Sequence, residues 1–419
     1  MKLLHTGDWH IGKLLADKSR LEEQRIVLDE LAAMADKHEP DVICITGDVY
    51  DNGHPSARAE ELFCSTIKRL CKGGERLVVI IAGNHDQPQR LEALQPLARE
   101  HGILIFGNPN SKPLPGKYGN YEIQPLDGGV FRTRAAGEEA VFACVPYVSE
   151  KALGEVIYRD LASEEENLKS YQEKMRRLYE GCNAWFGEDT LNICLSHVFT
   201  VGYEGDSSER SVQLGGSYIL DADVFPKNAD YIALGHVHKP QKVAGTGGRA
   251  RYCGSILPYH SDEVRTPKEC LLVQLEKGRA PQVTPLIFSN PKPIERWECR
   301  GFSEAEALCM KNQERSCWVF LKIHTEEPLR EDQIRRLKGL KSDLLEITPV
   351  FPDMEEREEE LRPLGERDLL DLFRSFYVNE KNREPDAEIL ELVKNLAKEE
   401  GEERKDEAAN ADDPGTEQL

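Results

Sequence analysis

Between Lys2 and Phe106 the chain alternates short apolar runs with stretches of helical periodicity. KLLHTG leads to SRLEEQRIVLDELAAMADKH, DVICITG leads to SARAEELFCSTIKRLCK, and RLVVIIAG and GILIFG follow. The apolar runs have strand length and composition, whereas the intervening stretches repeat their apolar residues three and four apart. A β-α-β-α-β order predicts a parallel sheet with helices on its faces, because parallel neighbours need a crossover connection. The fold class is therefore α/β. Later strands are expected in AVFACVPYV, TLNICLSHV, DYIALGHV, ARYCGS, CLLVQL and VTPLIF, with an inserted amphipathic helix over Ser163–Phe186.

At 419 residues the chain is too long for one ordinary core. Around SNPKPIERW, two prolines in close succession mark a boundary. We place a first domain over 1–290 and a small α/β domain over 291–352. The second is built from IERWECRG, a helix at SEAEALCMKN, CWVFLKIHT, a helix at LREDQIRRLKGL and DLLEITPVF. Beyond it, 353–398 holds two amphipathic stretches, ERDLLDLFRSFYVNEK and DAEILELVKNLAKEE. Residues 399–419 are acidic, lack bulky apolar side chains apart from the terminal Leu419, and are expected to be a disordered tail.

The formal charge of −21 argues at first against a nucleic-acid partner. From Asp353 onward, however, 23 acids face 10 bases, a net of −13, which leaves −8 for residues 1–352. Bound divalent cations would offset more of it locally. The eleven cysteines are spread along the chain with no C-x-x-C pair. Cys44, Cys144 and Cys194 lie inside apolar runs and read as small buried hydrophobes of a reducing compartment. No run of about 18 apolar residues occurs and no signal peptide is recognisable, so no membrane span is expected and the cytoplasm is the expected location.

Five of the expected strands end in metal-ligand residue types. They are Gly7-Asp8-Trp9-His10, Gly47-Asp48-Val49-Tyr50-Asp51, Gly83-Asn84-His85-Asp86, Ser196-His197 and Gly235-His236-Val237-His238. Ligand sites of open α/β sheets form at the carboxyl ends of strands, so these clusters are expected to converge. Glycine precedes four of them, which suits tight turns and close backbone approach. A lone D-x-H or G-H-V-H is common in proteins without function; five such endings after five apolar strands are not. Carboxylate, imidazole and amide without sulfur suit manganese, iron or zinc. Seven such groups are too many for one ion with an open position, and suit two ions that share a carboxylate, as in two-metal hydrolases.

The series D-x-H, G-D-x-x-D, G-N-H-D, S-H and G-H-x-H resembles the calcineurin-like metallophosphoesterases. The fuller segments LLHTGDWHIGK, ITGDVYD, IIAGNHD, YIALGHVHKPQ and RYCGSILP resemble the SbcC–SbcD nuclease family. The resemblance implies a metallophosphoesterase sandwich with a small α/β cap domain and C-terminal partner-binding helices. It assigns one divalent ion, expected to be Mn2+, to Asp8, His10, Asp48 and His238. A second falls to Asp48, Asn84, His197 and His236, with Asp48 bridging. His85 would be the catalytic residue that binds no metal and stabilises the transition state or protonates the leaving 3′-oxygen. Asp86 would orient His85 or its loop. Asp51 stands where some relatives carry a phosphate-touching histidine and is expected to support a metal-binding histidine instead.

The family further implies a 3′-to-5′ exonuclease on double strands and an endonuclease on single strands and hairpins, in DNA repair, recombination and replication. The implied partners are an SbcC-like ABC-type ATPase with a coiled coil, gripped by the C-terminal helices, and DNA ends and hairpins. The assembly implied is a heterotetramer around a nuclease homodimer. Rival readings are a phosphatase or cyclic-nucleotide phosphodiesterase of the same superfamily, and a protein-binding scaffold that has lost metal ligands. The cap and C-terminal helices argue against the first, and the complete ligand set against the second. Lys13, Lys18, Arg20 and Arg25 are candidate phosphate contacts, and the loop GYEGDSSERSVQLGG after His197 is a candidate shaper of substrate access. His5, His38, His101 and His324 read as structural; His54 and His260 lie near the motif segments and are candidates to reach the site.

Overall fold

A computed structural model describes residues 1–148, 164–200 and 219–351. The expected strands pair into two sheets. In the six-stranded sheet, Lys2–Thr6, Val42–Thr46, Leu77–Ile81 and Ile103–Phe106 run parallel, and Glu269–Gln274 and Gln282–Ile287 extend it antiparallel past Lys2–Thr6. The eight-stranded sheet is mixed. Its centre is Leu191–His197, parallel to both Glu138–Val145 and Tyr231–Gly235.

Three strands of that second sheet carry too weak an apolar signal to be read in advance: Gly116–Tyr118, Tyr121–Pro125 and Val130–Ala135. They form antiparallel hairpins at one edge, where the outer face tolerates Lys117, Glu122 and Arg134. The turn between Tyr118 and Tyr121 was the available signal, since Gly119 adopts a φ of 55° there.

Strand alternation sorts the core into layers. In the first sheet Leu3, Val42, Cys44, Val79 and Ile81 face one way and meet Phe131, Phe142, Ile193, Leu195 and Ala233 of the second sheet. Phe106 and Phe131 stack across that interface with centroids 5.9 Å apart, and Phe142 continues the stack at 5.2 Å. Truncating Phe131 to Ala would cost about 3–5 kcal/mol at such a site. Leu4, Ile43, Ile45, Val78 and Ile80 face the other way. Helix Leu21–His38 covers them with Val27, Leu28, Leu31 and Ala35, and helix Ala57–Leu70 with Ala59, Phe63, Ile67 and Leu70. The far side of the second sheet is covered by Tyr171, Met175, Tyr179 and Cys182 of helix Glu164–Asn183, close to the inserted helix expected. The result is a helix–sheet–sheet–helix α/β sandwich. All eleven cysteines are free and ten are buried.

After residue 290, strands Ile294–Arg300, Trp318–His324 and Leu344–Val350 form a three-stranded sheet with Trp318–His324 in the middle. Helices Gly301–Lys311 and Glu331–Leu340 follow the first two strands, and Ala305, Cys309, Val319, Leu321 and Leu337 make a small core of their own. The Trp318 indole packs on Leu15 and Ile294, and its Nε1 donates to Glu23 Oε1 at 2.9 Å. Residues up to Ile323, with Leu329–Pro349, belong to one compact unit. The expected helices over 353–398, the tail 399–419 and the polar loop after His197 lie outside the described residues. Among the described residues no helix is long and apolar enough to cross a membrane.

Candidate metal centre

The five polar strand endings meet at the carboxyl ends of the two sheets. Backbone bonds stitch the first two loops together: Asp8 N donates to Gly47 O at 3.0 Å, His10 N to Asp48 O at 2.9 Å and Ile11 N to Val49 O at 2.9 Å. Residue alternation then divides the labour. Trp9 turns into the helix-covered core, donates from Nε1 to Thr6 Oγ1 and packs against Phe63, so Asp8 and His10 on either side of it turn inward. Val237 does the same between His236 and His238. Four site residues sit at positive φ, Asp8 (48°), His10 (44°), Asp48 (48°) and His236 (98°). Such backbone is strained for residues with a Cβ and persists where the surroundings over-determine it, which is common at functional sites.

Close backbone approach at the strand ends leaves no room for a side chain at Gly83, against the loop of the neighbouring strand in its own sheet, or at Gly235, where the two sheets meet. A Cβ on Gly83 would lie 2.1 Å from Asp48 Oδ1, and one on Gly235 would lie 1.9 Å from Thr46 O and 2.8 Å from His197 Nδ1. These glycines are required by proximity rather than by an unusual φ.

Three groups of ligand-type atoms result: His10, Asp51 and His85 form one, and Asp48 belongs to the other two. Asp8, His10 and Asp48 form the first of these two, and Asp48, His197 and His236 the second, each with its atoms within 4.8 Å of one another. Asp48 Oδ2 lies 3.5 Å from His10 Nε2 and 3.4 Å from His197 Nε2, while Oδ1 accepts from His85 N at 2.9 Å. His238 Nε2 approaches His10 Nε2 to 3.1 Å on the first side. On the second side Asn84 Oδ1 lies 3.0 Å from His197 Nε2 and 2.9 Å from His236 Nδ1, and those two nitrogens are 3.2 Å apart. All seven expected metal ligands are thus brought together.

These residues fit divalent cations. Neutral imidazole nitrogens facing each other at 3.1–3.2 Å oppose lone pairs unless a proton or a cation lies between them. His197 Nδ1 donates to Thr46 O at 2.7 Å, which leaves Nε2 for a ligand. Buried imidazole nitrogens and carboxylate oxygens without sulfur make a set that hard-to-borderline ions favour.

The electrostatics of these residues show the same design. Burial pushes Asp8 up to about 6, against the pull of His197 and His238. Burial also works to raise Asp48, but His197, His10 and His85 outweigh it and hold this carboxyl well below the usual range. His197, which burial would lower, is lifted to about 9 by Asp48 and Asp8. His10 and His236 are driven well down, chiefly by burial. Cations entering the site must therefore displace a proton that the carboxylates hold in place, and binding weakens as pH falls.

His85 stands apart from the two groups that contain Asp48. Its ring is half-buried, and Nδ1 donates to the Asp51 carbonyl at 2.7 Å, which turns Nε2 away from that anchor. Asp51 carries a further ion pair with Lys13 at 2.9 Å, and its Oδ1 is 3.8 Å from His10 Nδ1. Asp86 does not touch the His85 ring. Its buried carboxylate accepts from Gly83 N, Val49 N and Tyr50 N at 2.8–3.1 Å, tying the second and third loops together. Burial and the neighbouring Asp48 push Asp86 up to about 6.

Some candidates lie elsewhere. His5 is buried in its strand against Tyr231 and Thr46, and His54 and His260 are exposed. Arg20 is buried, pairing with Glu23 and the Pro258 carbonyl, so it is a core residue rather than a phosphate contact. Arg25 is engaged by Glu22 and Asp29. Sequence reading missed the supporting cast of Thr46, Glu263 and Lys268, because no local pattern marks residues that act through tertiary neighbours.

The chain is similar to known proteins over most of its length. Residues 1–240 match the calcineurin-like phosphoesterase family. The chain is 33% identical over 399 residues to the SbcD component of the nuclease SbcCD of Bacillus subtilis, covering 95% of this chain and 98% of that one. It is 30% identical to the SbcD of Rhodobacter capsulatus, covering 79% of this chain and 82% of that one. To the SbcD of Escherichia coli K12 it is 28% identical, covering 85% and 86%. On this similarity, which spans nearly its whole length, the chain belongs to the calcineurin-like phosphoesterases and, among them, to the SbcD family.

Proposed function

We propose that this chain is the nuclease subunit of an SbcCD-type complex, a two-metal phosphodiesterase that cuts DNA. The observation that carries this reading is the position of Asp48, whose carboxylate is shared by the group of Asp8 and His10 and the group of His197 and His236. Asp8, His10, Asp48 and His238 would hold one Mn2+, and Asp48, Asn84, His197 and His236 the other. When bound, the two cations supply Lewis-acid charge that neutralises the phosphodiester and makes a water acidic enough to attack it.

The chain's own groups do the rest. Asp48 keeps the two halves of the site together, and Asn84 completes the half that holds His197 and His236. His85, anchored through Nδ1 on the Asp51 carbonyl, presents Nε2 to the phosphate and delivers a proton to the leaving 3′-oxygen. Asp86 fixes the loop from which His85 projects. Asp51 supports His10 and, through its carbonyl, His85.

The activity we assign is 3′-to-5′ exonucleolysis of duplex ends and endonucleolysis of single strands and hairpins, in repair and recombination. The names of the relatives favour an SbcC-like ATPase partner. We assign its docking to residues 353–398 and the capping role to residues 291–352, within a heterotetramer in the cytoplasm. The test is cleavage of an end-labelled hairpin DNA with Mn2+, with and without the ATPase and ATP. A phosphoserine peptide and cyclic AMP run in parallel. Turnover of the peptide or cyclic AMP with the hairpin untouched would replace this reading with a phosphatase or cyclic-nucleotide phosphodiesterase.

A further inference from the structure

Behind His238 lies a buried carboxylate that the strand-end motifs do not contain. The short helical turn Ser261–Arg265 follows Leu257-Pro258-Tyr259 and points Glu263 back under the site, where it has no solvent exposure. Its Oε1 lies 3.3 Å from His238 Nδ1. Its Oε2 receives Lys268 Nζ at 2.6 Å and Tyr259 N at 3.3 Å, and lies 3.5 Å from Ser255 Oγ. Lys268 Nζ also donates to the His238 carbonyl and to Ser255 Oγ, both at 2.9 Å.

A buried carboxylate is costly unless it is paired and fully hydrogen-bonded. Oε2 is held by two donors, Lys268 Nζ and Tyr259 N, while the nearby Ser255 hydroxyl gives its proton to the Leu257 carbonyl at 2.9 Å. Oε1 is spent on the ring of His238, at the nitrogen opposite the one that faces His10. An imidazole can ligate a cation only through a nitrogen without a proton. A carboxylate on the opposite nitrogen fixes the proton there, orients the ring and raises the basicity of the ligating nitrogen. On the other side of the centre, His197 is backed by a neutral carbonyl, that of Thr46. The two halves of the centre are therefore built with unequal support, a carboxylate on one and a peptide oxygen on the other.

We propose that Glu263 is a positioning residue for the metal centre, setting the tautomer and orientation of His238 and with them the affinity of the ion shared by Asp8, His10, Asp48 and His238. The proposal rests on the two-ion reading given above. Lys268 holds the Glu263 carboxylate in place and prevents it from swinging into the site as a ligand itself.

The test is titration of the metal-free full-length chain with Mn2+ by isothermal calorimetry. Wild type, Glu263→Gln and the double variant Glu263→Gln/Lys268→Met are compared, with thermal melts of each metal-free protein. Wild type is expected to bind two ions. Glu263→Gln weakens one of them by about 10–100-fold, the usual cost of losing such a partner, and leaves the other unchanged. The double variant removes the buried ammonium that Glu263→Gln strands, recovers any lost melting temperature, and keeps the weakened ion. Wild-type affinity for both ions in Glu263→Gln overturns the proposal. So does restored affinity in the double variant, which makes Glu263 only the counter-ion of Lys268. Loss of fold in both variants assigns the pair to the scaffold and overturns it as well. A wild type that binds fewer than two ions is a separate result: the two-ion reading itself fails, and the proposal with it.

Discussion

Asp48→Asn is the sharpest perturbation of the centre, because it removes one charge and almost nothing else. Asp48 sits at φ 48°, a region that Asn tolerates better than most residues. Its Oδ1 accepts from His85 N at 2.9 Å, and an amide oxygen can keep that bond. The loss falls on Oδ2, which faces His10 Nε2 at 3.5 Å and His197 Nε2 at 3.4 Å. Two divalent cations about 4 Å apart repel by about 16 kcal/mol at an effective dielectric constant of about 20. The carboxylate between them is the group best placed to offset that repulsion. With it neutral, paired occupancy should collapse to one ion under conditions that saturate wild type. Losing one cation's charge stabilisation, taken as about 4 kcal/mol, corresponds to about a 10³-fold loss of nuclease turnover. The metal-free variant should stay folded but melt below wild type, since buried His197 loses the carboxylate that lifts its imidazole. The assay pairs Mn2+ stoichiometry by calorimetry with hairpin cleavage. A variant that binds two ions and turns over at the wild-type rate would refute the bridging role.

Three further outcomes are expected. His85→Gln should retain both Mn2+ ions and lose about 10²–10⁴ in rate, the usual worth of a general acid or base; finding a single bound ion would make His85 a ligand. His5, pressed down to about 3 mainly by burial, stays neutral in the fold while an unfolded chain protonates it near 6.5. The unfolded state thus gains protons first, and metal-free stability falls as pH drops below about 6.5. For His5→Gln the loss between pH 6 and pH 5, measured by urea denaturation, should be smaller than wild type's by about 1 kcal/mol; parallel pH profiles would contradict the assignment. Finally, a chain ending at Pro352 should keep manganese-dependent nuclease activity but no longer co-purify with the ATPase or respond to ATP; a stable complex from the shortened chain would locate docking elsewhere.

The sequence was enough to determine the parallel β-α-β opening and to single out the polar residues that meet at the strand ends. Apolar strands of period two and helices of period 3.6 are local signals, and a polar residue closing an apolar strand is local too. Asp8, His10, Asp48, Asn84, His197, His236 and His238 could therefore be singled out before any contact was known. Tertiary structure alone decided three things. The edge strands Gly116–Tyr118, Tyr121–Pro125 and Val130–Ala135 gain their order from pairing with a sheet already formed, not from their own weak pattern. The requirement for glycine comes at Gly83 from the loop of the neighbouring strand and at Gly235 from how closely the two sheets approach, distances no linear pattern encodes. Supporting groups such as Glu263, Thr46 and the Asp51 carbonyl act on residues 25, 151 and 34 positions away. A residue that orients a ligand needs only the right oxygen in the right place, and many residue types and the backbone itself can supply one. Ligand chemistry restricts residue type and so leaves a mark in the sequence, whereas support restricts only geometry and becomes visible when the chain is folded.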